Sequence, residues 1–249
     1  MEALTLLTAA VFLPLFPLSL LVERLLGRLD GLPRAGLLVL WPLPGALAVG
    51  ITEGAPPDWL LGFASMSALF HAWRGLGTPD ARDWLGLLAL SAWPLLWAAT
   101  QTAETAVVQA LALGLPLAGL SLVLDTVERR FGAAHAALDL RLAAVAPRLA
   151  GLVVVAVLAA TATPLSPAFF AMLSLVGAQV GEFALASPIM LAVWLLWSWS
   201  GARILLALVP GPAGHAPRGQ DLTPAGAWPA HLAFVLLAVL GVFVGGRLL

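Results

Sequence analysis

The stretch TAVVQALALGLPLAGLSLVL, residues 105–124, contains no charged side chain and a single amide, Gln109. A helix rises 1.5 Å per residue, so twenty residues reach about 30 Å, the thickness of a bilayer's hydrocarbon core. The whole chain of 249 residues is similar, with 61% hydrophobic and 10% charged residues, whereas an average soluble domain has about 25% charged residues. The sequence therefore predicts a membrane protein, and its net charge of −1 excludes nucleic acid as a partner.

Eight further apolar runs flank this stretch. Because lipid offers no partner to an unpaired backbone group, each run is predicted to be helical. We expect an all-α, polytopic transmembrane helix bundle of about nine spans that forms a single membrane domain over residues 1–249. The seventh and eighth runs, which Gly181, Glu182 and Pro188 interrupt, could form a broken helix, a kinked helix or two spans. Residues 210–227 are expected to form an extramembrane loop. The predicted spans are 4–22, 35–52, 57–73, 84–100, 105–124, 149–163, 168–180, 188–209 and 228–244.

The charges between the runs predict an orientation. All 12 basic residues are arginines, and they concentrate after the first, third and fifth runs, whereas the intervening loops carry Glu53, Asp58 and Glu104. Cytoplasmic loops are enriched in basic residues. We therefore expect a multi-pass protein of a bacterial inner membrane, with the first run retained as a span, the N-terminus outside and Arg247 inside.

The composition also limits the chemistry. The chain has no cysteine, so it cannot form disulfides, thiolate zinc sites or cysteine-ligated iron–sulfur clusters. The four histidines do not have the spacing of a metal site. We expect no cofactor and no metal, and at most a non-catalytic role in a larger enzyme.

Three stretches, taken in order, resemble one known family. They are AWRGLGTPDARDWLGLLALS at 72–91, an amide-bearing helix that ends in Glu128 and Arg129, and ATATPLSPAFFAML at 160–173. The order and spacing resemble the antiporter-like membrane subunits of respiratory complex I, Mrp-type antiporters and membrane hydrogenases. The similarity covers 63–211 and corresponds to the second half of such subunits. It implies proton or cation translocation, with other membrane subunits and lipid as partners.

The departures from the family pattern concern its proton-relay positions. Arg82 stands where the family has a cation that is usually lysine, Leu113 where it has histidine, and Met172 where it has lysine or glutamate. An arginine cannot release its proton under working conditions. The resemblance therefore implies an accessory or structural subunit with a reduced ion path.

Charged and polar side chains inside a bilayer are costly and are usually functional. The candidates for an ion path are Arg82, Asp80, Glu182, Gln179 and His71. His71 could be a proton entry point coupled to Asp80 or Arg82, or it could form an ordinary interface pair with Arg74. Glu182 could be a buried proton carrier, or it could lie in a wet turn.

Glu128 and Arg129 are candidates for structural ion pairs, since cations are favoured at the C-terminus of a helix. Two alternative functions stay open at this point. The chain could be an energy-coupling membrane subunit of an inorganic-carbon accumulation complex, with a zinc-containing soluble partner. It could also be a stand-alone small transporter, which would require a second, inverted half.

Overall fold

The computed structural model describes residues 2–52, 56–99, 102–136, 140–180, 185–211 and 221–248. Within these ranges the chain is helical and has no strand, which confirms the all-α prediction; an isolated bridge joins Asp80 to His135. The helices are α1 (Glu2–Phe12), α2 (Ser19–Arg28), α3 (Gly31–Leu40), α4 (Pro42–Ile51), α5 (Asp58–Gly77), α6 (Ala81–Leu95), α7 (Ala103–Phe131), α8 (Leu142–Val145), α9 (Pro147–Ala160), α10 (Pro167–Ala178), α11 (Ala186–Leu208) and α12 (Pro224–Leu248).

Each of the nine apolar runs lies on helix, and local sequence sets several of the boundaries. The hydroxyl of Thr102 accepts the N–H of Thr105 (3.1 Å) and starts α7. Gly132 ends that helix in the left-handed region at φ 87°, where a residue without a Cβ is favoured. The α3–α4 segment (31–51), α7, α11 and α12 are long and apolar enough to cross a membrane, whereas α9 and α10 are shorter.

The first apolar run is interrupted, contrary to the single continuous span that we expected. Pro14 and Pro17 separate α1 from α2, because proline lacks the N–H that a continuing helix needs. The continuous helix α5 bonds to the break and to α2. Its Ser67 bonds to the N–H of Phe16, and its next turns bond to the first turns of α2. The two helices are therefore halves of one discontinuous helix.

The sixth and seventh runs are also halves of one discontinuous helix, α9–α10. Helix α12 runs side by side with both of them in the same direction. At its start, the carboxylate of Asp221 accepts the N–H of Leu149, at the start of α9 (3.2 Å). Further along α12, a Cβ on Gly241 would lie 2.5 Å from the carbonyl oxygen of Leu165 in the break. The count of nine separate spans is therefore not confirmed, and this break precedes the interruption of the apolar runs near Gly181.

Arginines from several helices gather at one end of the bundle. This arginine end contains Arg34, Arg82 and Arg148. Arg34 donates to the backbone carbonyl of Arg82, and Arg82 in turn bonds to α7 and to the α2–α3 connection. Arg148 bonds to the segment before α12. Arg247 was expected on the same side, but it pairs with Glu104 at the start of α7 (2.6 Å), at the opposite end. The reason is that α9 and α10 together cross the bundle once, whereas two crossings were expected. Each later helix therefore runs opposite to the expected direction.

Candidate functional site

Arg82 lies at the first turn of α6 and joins three elements. Its Nη1 donates to Oε2 of Glu128 on α7 (2.8 Å), and its Nη2 donates to the carbonyl oxygen of Leu29 (2.9 Å) and to the Asp30 carboxylate. We call Arg82, Asp30, Glu128, Asp80 and Arg34 the Arg82 cluster. A planar guanidinium offers several donors in fixed directions, so Arg82 holds α7 and the α2–α3 connection against α6.

Arg34 and Asp30 are the two members of the cluster that the sequence analysis missed. Arg34 was assigned to a loop, but it lies in α3 and is 3% exposed. Its Nη2 donates to the backbone carbonyl oxygen of Arg82 (2.6 Å). A charge next to an apolar run lowers the local hydropathy and moves the apparent boundary, so the predicted span began at residue 35, whereas α3 begins at Gly31.

Asp80 has a local role in the cluster. Its Oδ1 accepts the backbone N–H groups of Arg82 (2.8 Å) and Asp83 (3.1 Å), which caps α6. The residues beside it bond to the segment after α7, since the N–H of Ala136 donates to the carbonyl of Pro79 (2.9 Å). Asp80, a candidate for the ion path, therefore serves as the N-cap of α6.

Glu128 and Arg129 each form an ion pair, with different partners. Glu128 pairs with Arg82, while Arg129 pairs with Asp125 one turn earlier on α7 (2.6 Å). The hydrogen bond from Arg82, together with its positive charge, lowers the pKa of the Asp30 carboxyl below the ordinary value of 3.8. The Asp30 carboxylate is therefore ionised and paired with Arg82 at neutral pH.

His71 lies against the break between α1 and α2. Its Nε2 is hydrogen-bonded to the hydroxyl of Ser19 (2.8 Å), and the side chain is fully buried. Its Nδ1 has no hydrogen-bond partner among the described residues. Arg74, the expected interface partner, instead forms a bidentate pair with Glu23 (2.6 and 2.8 Å). His71 is thus a buried titratable group at a discontinuous helix.

The backbone groups that the α1–α2 break leaves free are bonded by side chains. Ser67 Oγ accepts the N–H of Phe16 (2.8 Å), and Nε1 of Trp97 donates to the carbonyl of Leu13 (3.1 Å). Such groups need protein partners wherever water is excluded. With Ser19 and His71, they make this break a polar site within an apolar core.

The α9–α10 break is bonded in the same manner but has no titratable side chain among these contacts. The hydroxyls of Thr163 and Ser166 donate to the carbonyls of Leu158 (2.8 Å) and Ala159 (2.7 Å). Nε1 of Trp194 donates to the carbonyl of Ala162 (3.0 Å). A tryptophan therefore satisfies a freed carbonyl in each of the two breaks.

The relay positions that the resemblance identified as apolar are also buried. Met172 on α10 is 0% exposed and Leu113 on α7 is 3% exposed. Gln109, one turn before Leu113, donates from Nε2 to the hydroxyl of Ser174 (3.1 Å). Between α7 and α10 the polar contact is thus an amide–hydroxyl bond between neutral side chains.

Gln179 is 4% exposed and lies at the C-terminal end of α10. Its Oε1 has no hydrogen-bond partner within the described ranges. Glu182, its expected companion, lies outside the described residues. The structure thus separates the candidates that it describes into the Arg82 cluster, the His71 site and Gln179.

No protein-family model matches this sequence, and no curated protein sequence matches it. Solved structures match the fold at low identity. A chain of the Mrp complex from Dietzia sp. DQ12-45-1b is 18% identical with a TM-score of 0.81, and the match covers 99% of this chain and 56% of that one.

Two other membrane complexes contain similar chains. Respiratory complex I from Thermus thermophilus matches with a TM-score of 0.74 at 22% identity, over 98% of this chain and 55% of its own. The membrane-bound sulfane sulfur reductase, an archaeal respiratory membrane complex, matches with a TM-score of 0.79 at 14% identity, over 94% and 51%. The present chain spans about half the length of the chains it matches. The resemblance drawn from the sequence is confirmed at the level of the fold, which this chain shares with chains of these three membrane complexes.

Proposed function

We propose that this chain is a membrane subunit of a complex I-related assembly that translocates protons or cations, and that its own role is accessory or structural. The proposal includes other membrane subunits as partners and a bacterial inner membrane as the location. Redox chemistry and any catalytic step would belong to those partners. The fold shared with chains of three multi-subunit membrane complexes supports the placement in such an assembly.

The observation that carries the accessory role is the state of the relay positions. Met172 and Leu113 are buried without a titratable group, and the remaining cation, Arg82, is bonded to two carboxylates and a carbonyl. A proton relay needs groups that bind and release protons near the working pH. An arginine bonded in this way does neither, so we infer a reduced ion path.

His71 and Gln179 are the polar side chains from which a residual path would be built. Both are buried, and each has an atom without a hydrogen-bond partner among the described residues. Polar groups in such a position can order water. We propose Glu182 as a third member, on the sequence alone.

The assembly is tested by purifying the tagged chain from its native membrane in a mild detergent and identifying the subunits that accompany it. The proposal predicts several polytopic membrane subunits in fixed ratio. A chain that purifies alone and intact would contradict it. Recovery with a soluble zinc protein would instead support coupling to inorganic carbon.

The accessory role is tested on that assembly in vesicles. The His71→Gln variant keeps a polar side chain of similar reach but replaces the titratable imidazole by a neutral amide. Ser198→Ala is the matched control, because Ser198 is exposed and bonds to its own helix. We expect proton flux per assembled complex within about twofold of wild type for both variants. A flux that falls about a hundredfold in His71→Gln, with assembly intact, would show a conducting role.

A further inference from the structure

We propose that an anionic glycerophospholipid binds in a groove between α12 and the pair α7 and α9. Two cavities form this groove in line, one of about 350 Å³ and one of about 230 Å³. Phe234 and Leu237 of α12 line both. We call this space the α12 groove.

The lining of the α12 groove is suited to hydrocarbon. It is built mainly from leucine, valine, alanine and phenylalanine side chains. Three hydroxyls face it, and each already donates to a backbone carbonyl: Thr126 (2.9 Å), Thr163 (2.8 Å) and Ser166 (2.7 Å). The groove therefore offers contact area without a free polar group that an acyl chain would have to desolvate.

The width of the groove favours an acyl chain over a protein segment. A helix with its side chains is about 10–12 Å across, so it would need a far larger cavity than either of these. An extended strand would leave its backbone groups unbonded against apolar walls. A lipid chain is narrow, flexible and apolar along its whole length.

The end of the α12 groove is cationic. Arg148 precedes the groove residue Leu149, and its side chain is 50% exposed. With Trp228 and His231 it lines an adjoining cavity of about 310 Å³. Arg130 lies one turn beyond the groove residue Thr126 on α7. Tryptophan and arginine at the end of an apolar groove are the side chains that anchor a lipid headgroup.

One carboxylate, that of Asp221, lies between these arginines. It accepts the backbone N–H groups of Leu149 (3.2 Å), Leu222 (2.8 Å) and Arg148 (3.3 Å), and it is 3.7 Å from Nη1 of Arg148. Asp221 is thus largely occupied as a cap of α9. The guanidinium of Arg148, which is half exposed and 3.7 Å from this carboxylate, can therefore also bond to a phosphodiester headgroup.

The test is native mass spectrometry of the purified, delipidated full chain, with phosphatidylglycerol or phosphatidylcholine of identical acyl chains added back. We expect wild type to retain phosphatidylglycerol about fivefold better, as one arginine near a membrane surface provides. Arg148→Gln should remove this preference, whereas Arg28→Gln, on α2, should keep it. Ala233→Trp, which fills the groove, should reduce retention of both lipids, and Leu195→Trp, on the exposed face of α11, should not.

Equal retention of the two lipids by wild type would overturn the proposed headgroup site. Wild-type retention in Ala233→Trp would overturn the groove as the place where the acyl chain binds, and this arm stands even if Arg148→Gln does not fold. Loss of an accompanying protein subunit from Ala233→Trp, with lipid retention unchanged, would identify the groove as a protein interface and would also reject the proposal.

Discussion

At the scale of single residues, the substitution of arginine for a relay lysine changes what position 82 can do. Lysine carries one compact charge that it can release when it is desolvated, whereas arginine keeps its charge and bonds in several fixed directions. Arg82 uses these directions to reach Glu128, Leu29 and Asp30. At position 82, arginine therefore holds helices together.

The two carboxylates of the cluster should differ in their contribution to stability. The Glu128 side chain is 18% exposed and that of Asp30 is 70% exposed, and water screens an exposed pair. We expect Glu128→Gln to lower the free energy of unfolding by about 2 kcal/mol, and Asp30→Asn to lower it less. Tryptophan fluorescence melting in detergent would measure both, and a larger loss in Asp30→Asn would contradict this assignment.

The bond between Arg82 and Asp30 also predicts a pH dependence. The pKa of Asp30 in the folded chain is below the ordinary 3.8, so its contribution is complete above that value and disappears as the pH falls through the folded pKa. The difference in melting temperature between wild type and Asp30→Asn should be constant near neutral pH and should vanish only in acid. A difference that changes between pH 6 and 8 would contradict the assignment.

The residue scale also shows what one sequence can indicate. Asp80 and Arg82 are close in sequence, so their proximity could be predicted. Arg82 and Glu128 are on different helices, and their contact depends on how α6 packs against α7. Gln109 could be recognised as a buried polar group, whereas Ser174, its partner, has no distinguishing pattern.

At the scale of helices, the two breaks define the architecture. Each contains the pattern Pro-Leu-x-Pro, at 14–17 and at 164–167, and each is bonded by a side chain of a continuous helix. Hydropathy located every apolar run, but it measures transfer into lipid and does not show whether two consecutive runs share one pass. The repeated proline pattern was the available signal for the first break, which the sequence analysis did not use.

Contact between α12 and the α9–α10 break should be intolerant of side chains. A Cβ on Gly241 would lie 2.5 Å from the carbonyl oxygen of Leu165, whereas Gly246 on the same helix has nothing within 4 Å. We expect Gly241→Ala to destabilise the chain by about 2 kcal/mol through overpacking. Gly246→Ala should be neutral or slightly stabilising, since alanine favours helix.

Thermal melting of both variants in the same detergent would measure this difference. Equal melting temperatures would mean that α12 does not lie against the break as described. The comparison keeps the helix and the residue type constant. Gly241 is buried against the break and Gly246 is exposed, so contact with the break is the variable.

At the scale of the whole molecule, the number of membrane crossings between two positions predicts whether they face the same side of the membrane. The chain has no native cysteine, so single cysteines report cleanly. In intact cells, a membrane-impermeant maleimide should label Asp58→Cys and Arg247→Cys, and should label Arg28→Cys only after lysis. Labelling of Asp58→Cys and Arg247→Cys from different sides would contradict the shared pass of α9 and α10.

The chain corresponds to about half of each chain it matches. Of the relay positions that the resemblance implies, two are apolar and the third is an arginine bonded to neighbouring helices. Its fold could be recognised from the order and spacing of three stretches in the sequence. The role is a matter of single side chains, which the shared fold does not fix. We therefore infer that this chain alone does not conduct protons.

That claim is tested most directly by proton flux into vesicles that contain the purified chain and an internal pH indicator. With an imposed pH gradient, the account predicts a flux equal to that of protein-free vesicles. A flux above that level that is lost in His71→Gln would contradict it.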